Sequence, residues 1–460
     1  VADLFQMLGR ATQALDAQRY GLDVAGQNIA NVNTPGYVRR SVNLVELPPP
    51  DPSTPGGGVA VQSVDSARAP LVEARLRYEQ PLAGRESAIA EQLAVVEAGL
   101  GQPGASLDAA LSQFYNTYGA LAQNPTSSTA RQQVVVQGQS LSRAFNDMAA
   151  RFDTVRHNAD NDIRASVAQV NALAAQLADI NKQIGQTDPQ SAQGLLDQQS
   201  AVIKSLSTFV DLNVTTRSDN AVDVSIGNGR ALVIGDTTFE LRTAPQADGY
   251  LSLVSDGAAV PTDVTTEITG GRIGGMLQVR DTLMPQYTAS LDQLAYSVST
   301  DVNSVVSTGY DLQGHAGVDF FTAPAAVAGA ARQMSVNAPV AADNGLVVAS
   351  ASTAAGNNDI ANAVAALQDA PMTGSTAHPV EGWSSLVYTI GTDSSTAKQS
   401  SDSHTQVVNQ LENLWDQTSG VSIDEEAAML MRFQRAYEAN AKFFQVVDGT
   451  IDLLMQLGEV

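Results

Sequence analysis

The sequence predicts a multidomain α+β protein: coiled-coil-forming terminal helices, a long-helix bundle domain assembled from both halves of the chain, and an inserted β-rich domain. Three observations lead there. Near the start, Leu4, Leu8, Ala11, Leu15, Gln18, Leu22, Ala25 and Ile29 alternate steps of four and three, and near the end Leu430, Phe433, Tyr437, Asn440, Phe444, Val447, Ile451 and Leu454 do the same. That spacing is a coiled-coil seam, whose apolar knobs leave water only against a partner helix. Between the ends, residues 128–184 repeat apolar side chains on recurring helical faces, among them Val135, Leu141, Phe145, Phe152, Ile163 and Val170. Residues 210–241 then alternate polar with β-branched types, punctuated by Gly227-Asn228-Gly229 and Gly235-Asp236, the pattern of short strands and tight turns.

The first helix is expected to end at Asn33-Thr34-Pro35-Gly36, because Pro35 has no N–H to donate and disfavours helix at the residue before it. Residues 37–70 read as extended and loop-rich. Helix returns over 71–100, with an interruption expected near Pro81, and continues as helices over 106–121, 128–184 and 192–208. The β-rich insertion follows, and Gly270-Gly271 with Gly274-Gly275 frame a return to helix from Met276 to about Ser307. Helix resumes at Thr396, and Ser419-Gly420 breaks it before the terminal helix. The expected domains are therefore nested. Residues 1–36 with 421–460 form an outermost helix pair. Residues 37–208, 272–308 and 396–420 form a mainly helical domain with extended segments. Residues 209–271 form an inserted β-rich domain, and 309–395 an irregular mixed segment packing on the helical or outer domain.

Composition narrows the function. The 460 residues carry a formal charge of −23, which argues against nucleic acid because phosphate binding needs a basic face. There is no cysteine, so disulfides and thiolate metal sites are excluded. No segment approaches the roughly 18 to 20 apolar residues of a membrane helix, so membrane insertion is not expected. The first residues lack a basic stretch followed by an apolar core, which sets the expectation of export without a cleaved signal peptide.

Catalytic chemistry finds no foothold. His157, His315, His378 and His404 stand far apart in unrelated contexts, outside any zinc-binding spacing. Ser422-Ile423-Asp424-Glu425-Glu426 gathers three acids, but Ser422 with Glu425 is a capping box, and acids in a first turn complement the helix dipole. Gly271-Arg272-Ile273-Gly274-Gly275 has the look of a phosphate loop, yet none of Lys182, Lys204, Lys398 and Lys442 follows a glycine. The expectation is no enzyme, no cofactor, no metal and no catalytic residue.

One stretch is more specific than any periodicity. Asn28-Ile29-Ala30-Asn31-Val32-Asn33-Thr34-Pro35-Gly36-Tyr37 resembles the N-terminal signature of the bacterial flagellar rod/hook axial protein family, with Asn28, Ala30, Asn31, Thr34, Gly36 and Tyr37 as its marked positions. Ser419 to Ala427, with Phe433-Gln434-Arg435-Ala436-Tyr437 and Ala439-Asn440-Ala441, resembles the hook–filament junction branch of that family, as does Gly270 to Leu277. The resemblance implies a structural, secreted subunit of the flagellum that leaves by type III export and serves motility. It also implies self-association into a ring or helical assembly, contacts with the hook protein and a second junction protein, and an export chaperone on the C-terminal helix. Leu8, Leu15, Leu22 and Ile29, with Leu430, Phe433, Tyr437, Phe444, Val447, Ile451 and Leu454, are the expected subunit or chaperone interface. Another flagellar axial or filament protein, or a surface adhesin using residues 309–395, are the alternatives.

Overall fold

A computed structural model describes residues 2–48, 56–101, 106–188, 192–257, 260–354 and 356–458. Helix α1 (Ala2–Ala30) leads into a hairpin of β1 (Arg40–Glu46) and β2 (Val59–Ser66), antiparallel with a bulge between Asn43 and Leu44. The segment read as extended and loop-rich is thus a paired ribbon, and it lies along α1.

The helical body follows with α2 (Pro70–Gly99), α3 (Leu107–Gln123), α4 (Ser128–Gln186) and α5 (Gln193–Phe209). The 59 residues of α4 make a rod of about 90 Å at 1.5 Å per residue. Ser127 starts it, its hydroxyl accepting from the Ala130 N–H at 3.2 Å. Along its length Val134, Leu141, Phe145, Phe152, Ile163, Val170 and Leu177 are buried, so this helix is the spine on which the other elements pack.

Two antiparallel sheets form the insertion. One takes β3 (Leu212–Thr216), β4 (Val222–Ile226), β5 (Arg230–Ile234) and β6 (Thr237–Thr238) in that order; the other takes β7 (Leu241–Pro245), β8 (Leu251–Ser255) and β9 (Thr262–Asp263). Asparagines of α4 pin both. Asn181 donates to the Val222 and Gly235 carbonyls and accepts from the Val222 N–H, while Asn171 exchanges both bonds with the backbone of Leu241. A buried Arg280 adds a clamp, paired with Asp160 at 2.6 Å and donating to the Leu251 carbonyl.

Helix resumes at α6 (Gly271–Gln278), ahead of the expected Met276. A π-helical turn (Val279–Leu283) then leads to α7 (Met284–Val306). The wider turn falls where Pro285 has no N–H for the regular helical bond. A side chain at Gly275 would place its Cβ 2.5 Å from the Arg85 carbonyl, so α6 can approach α2 this closely only without one. Three short helices, α8 (Ala330–Gln333), α9 (Ala338–Ala342) and α10 (Asp359–Ala366) among turns, and the long α11 (Pro379–Ser419) and α12 (Ile423–Gly458) complete the described residues.

Two sequence expectations need correction. α2 runs unbroken through Pro81, which is buried against the body; packing along α11 and α6 outweighs a local cost of about 3 kcal/mol. α11 starts at Pro379, well before Thr396. Its first turns are rich in Ser, Thr and Gly, which hides the helix from propensity, but Trp383, Leu386 and Ile390 bury one face. The rest of the irregular segment closes the body with an aromatic cluster, in which Phe320 and Phe321 pack on Phe114 at 5.5 and 5.3 Å between ring centres.

Candidate assembly surface and its joint to the helical body

The terminal helices find each other within one chain. They run antiparallel: Asn28 meets Glu426, and one heptad further Gly21 meets Phe433. The Phe433 ring packs directly against the α1 backbone at Gly21, for a Cβ there would fall 2.6 Å from it. The buried line of α1 is mostly small (Ala11, Ala17, Gly21 and Ala25, with Val24 beside them), whereas on α12 Val447 and Ile451 are buried and Leu430, Phe433 and Phe444 half-buried. Leu8, Leu15, Leu22 and Ile29 sit half-buried beside this contact, while Tyr437 and Leu454 stand exposed. The Asn440 amide donates to the Ala436 carbonyl of its own helix and not across the pair.

A second apolar line runs along the outside of α12. Phe443, Val446 and Leu453 share one face and are 47%, 67% and 59% exposed. Met431 lies beside this face, and Met455 on α12 with Phe5, Met7 and Tyr20 on α1 are exposed as well. More than half of the large apolar residues exposed among the described residues lie on these two helices.

The signature residues build the joint behind the pair. The Asn31 amide closes α1 by donating to the Gln27 carbonyl, and its oxygen accepts from the Thr34 hydroxyl at 3.2 Å. Gly36 turns the chain at φ +78°, a conformation that glycine adopts without strain. That turn returns Tyr37 and Arg40 to Asn28, which is fully buried and uses every polar position. Its amide donates to the Arg40 carbonyl (2.8 Å) and to Glu426 Oε2 (2.9 Å), and its oxygen accepts from the Tyr37 hydroxyl (2.9 Å) and the Arg40 N–H (3.1 Å). Ala30 is exposed, and nothing in the structure explains its place in the signature.

Charges extend the joint in both directions. Glu426 is buried and bridged by Arg39 Nε at 2.6 Å, and Glu425 reaches the same guanidinium at 3.2 Å. Only half of the capping box forms, the Glu425 N–H lying 3.5 Å from the Ser422 hydroxyl while the Glu425 carboxylate turns to Arg39, so fixing α12 to Arg39 and Asn28 is the larger role of these acids. On the other side Asp197 of α5 takes Arg68 at 2.5 Å and Arg40 at 3.1 Å. Burial pushes the Tyr37 hydroxyl above the ordinary phenol value, so it remains a donor at neutral pH. Burial also raises the Asp197 carboxyl, and the pull of Arg68 and then Arg40 offsets only part of that.

No group of histidine and acid side chains among the described residues is placed to hold a metal ion, and no helix is long and apolar enough to cross a membrane. The four histidines each lie beside one acid: His157 by Asp153, His315 by Asp311, His378 by Glu381, and His404 by the buried Glu79. Only His404 joins two long helices, α11 and α2.

Comparison with known proteins follows this division. Residues 10–37 match the "Flagella basal body rod protein" family, residues 416–457 the "Flagellar basal body rod FlgEFG protein C-terminal" family, and residues 93–321 the "Flagellar hook-associated protein FlgK helical domain". The curated relatives include flagellar hook-associated protein 1 of Bacillus subtilis, 28% identical with 97% of each chain covered. The Escherichia coli and Salmonella typhimurium proteins of that name are each 25% identical, with 98% of this chain and 99% of theirs covered. The chain belongs to the flagellar hook-associated protein 1 family. The Escherichia coli alignment spans 547 positions against 460 residues here, so this member is a compact version. A solved structure of the flagellar hook junction protein FlgK from Burkholderia pseudomallei shares the fold, with a TM-score of 0.67 at 16% identity over 76% of this chain and all of that one.

Within the family signature, sequence reasoning found Asn28, Asn31, Thr34, Gly36 and Tyr37 but not their partners. Arg39-Arg40 directly after the signature was the one available signal. Nothing in the pattern of α5 marks Asp197.

Proposed function

We propose that this family member works as a structural subunit of the bacterial flagellum at the hook–filament junction, with its terminal helix pair as the part that polymerises. The carrying observation is the outward apolar line of α12. A folded monomer seldom leaves such a line uncovered, and lateral packing against neighbouring copies would cover it. The helical body holds the pair through the Asn28 joint, and the β-rich insertion, pinned to α4 by Asn181 and Asn171, would face outward. In this reading residues 1–36 with 421–460 are the inner axial domain, and the hook protein and second junction protein are its neighbours above and below.

The expected chaperone line, Leu430, Tyr437, Phe444 and Ile451, is largely engaged with α1 here. An export chaperone gripping that line would therefore replace α1, holding α12 as an amphipathic helix in a groove until assembly. This accords with an exported subunit whose terminal helices pair only late. The test is complementation of a strain lacking the gene. Truncation of residues 425–460 is expected to abolish a filament-bearing hook while the purified remainder keeps the far-ultraviolet signal of its long helices. A truncated chain that still joined filament to hook would overturn the reading.

A further inference from the structure

A cavity of about 630 Å³ lies where the turn after α1 meets α2, α5 and α11. It is separate from the outward line of α12. Its apolar walls are Pro35 and Val38 from the turn, Leu76, Ile203, Phe209 and Trp415. The volume falls within the roughly 300–1,000 Å³ of small-molecule sites, and the mixture of apolar wall with a few polar groups is their usual make-up.

The polar lining has a direction. Glu73, Arg77 and Gln80 share one face of α2 with Leu76, and Glu73 Oε1 and Gln80 Oε1 are shielded from solvent without any donor. An acceptor held away from water with no donor is costly, so a guest bringing N–H groups gains more here than a purely apolar one. The carboxylate of Glu73 turns almost freely about its last torsion, which lets either oxygen face the cavity. Lys204 is occupied by Glu412 at 2.5 Å. Glu73, Asp416 and Arg77 are the other charged groups of the lining, and the Arg77 guanidinium has no ion-pair partner among the described residues. The rings of Trp415 and Phe209 add faces that attract cations.

We propose that this cavity binds a small organic cation with an apolar body, a primary amine on an aryl or alkyl stem, its ammonium held by Glu73 and Gln80. Such a guest touches both the turn that carries the terminal pair and the three helices of the body. Binding it stabilises the joint in the arrangement seen here, by the linkage that any ligand exerts on the state it prefers. The proposal rests on the packing of the joint and stands whether or not the outward line polymerises.

The two tryptophans make the test self-controlled, since Trp415 lines the cavity and Trp383 is buried elsewhere. The full chain, labelled with fluorotryptophan and assigned through Trp415→Phe, is titrated with 4-phenylbutylamine and watched by fluorine NMR. A saturable shift of the Trp415 signal with Trp383 unmoved is expected, and neutral 4-phenylbutanol should bind about tenfold more weakly, the usual value of a charge-assisted bond. Glu73→Gln should weaken the amine and Arg77→Gln should strengthen it. Opposite signs cannot arise from misfolding, which would weaken both. Absence of a saturable shift, equal affinity for the alcohol, or variants moving affinity the same way overturns the proposal. So does a Trp415 shift that follows protein concentration and ignores the amine, which would put another copy's side chain in the cavity.

Discussion

Replacing Asn28 by alanine removes four hydrogen bonds at once, and their partners differ in what they lose. Glu426 keeps Arg39, and the half-buried Tyr37 hydroxyl can reach water. The Arg40 N–H and carbonyl lose the partner that held them, and a buried orphan of that kind costs roughly 1–2 kcal/mol. The two together predict a loss of about 2–4 kcal/mol, concentrated where α12 is tied to the turn. Native-state hydrogen exchange is the assay. At about 1.4 kcal/mol per factor of ten, amides in residues 423–447 should lose roughly thirty- to thousandfold in protection, while the core amides of α4 keep theirs. Asn28→Asp should be worse at neutral pH, because a second carboxylate then faces Glu426. Like charges raise the folded-state pKa of that pair, so the Asp variant's deficit should shrink as the pH falls into the carboxylate range. Protection in α12 that is unchanged in Asn28→Ala, or that falls equally in α4, would refute the view of Asn28 as the local tie.

Other consequences are equally direct. Phe443→Asp should leave urea unfolding of the monomer within about 0.5 kcal/mol, as surface changes do, yet abolish filament attachment in a complementation assay; Phe444→Asp should destabilise the helix pair itself, by burying an unpaired charge against α1. Equal effects of the two would erase the distinction between inner and outer faces. Gly275→Ala should cost about 1–3 kcal/mol in urea unfolding, since its Cβ meets the fixed Arg85 carbonyl rather than a movable side chain. His404→Ala should cost about 1–2 kcal/mol by leaving Glu79 buried without its partner, and Glu79→Gln should cost less because an amide keeps the bond to the imidazole.

Much of this architecture was legible in the residues. Periodicity located the long helices and the insertion, and the Gly227 and Gly235 turns fall between strands as their types require. The Asn28 to Tyr37 stretch announced the family. These features are local: a helical face or a tight turn is decided by residues within one or two turns of each other. The tertiary structure decided the rest. The 3-4 spacing put Phe444 on the seam and left Phe443 off it, but could not say how closely the two helices approach. Gly21 and the alanines of α1 decide it, because only their small line admits Phe433 and its neighbours at close range. In the same way Pro81 stays helical through contacts with α11 and α6. Asp197 joins the joint across 157 positions of chain, and Glu426 meets Asn28 across 398. Partner choice at such separations depends on the shape of the assembled body, which no local pattern of residue types encodes.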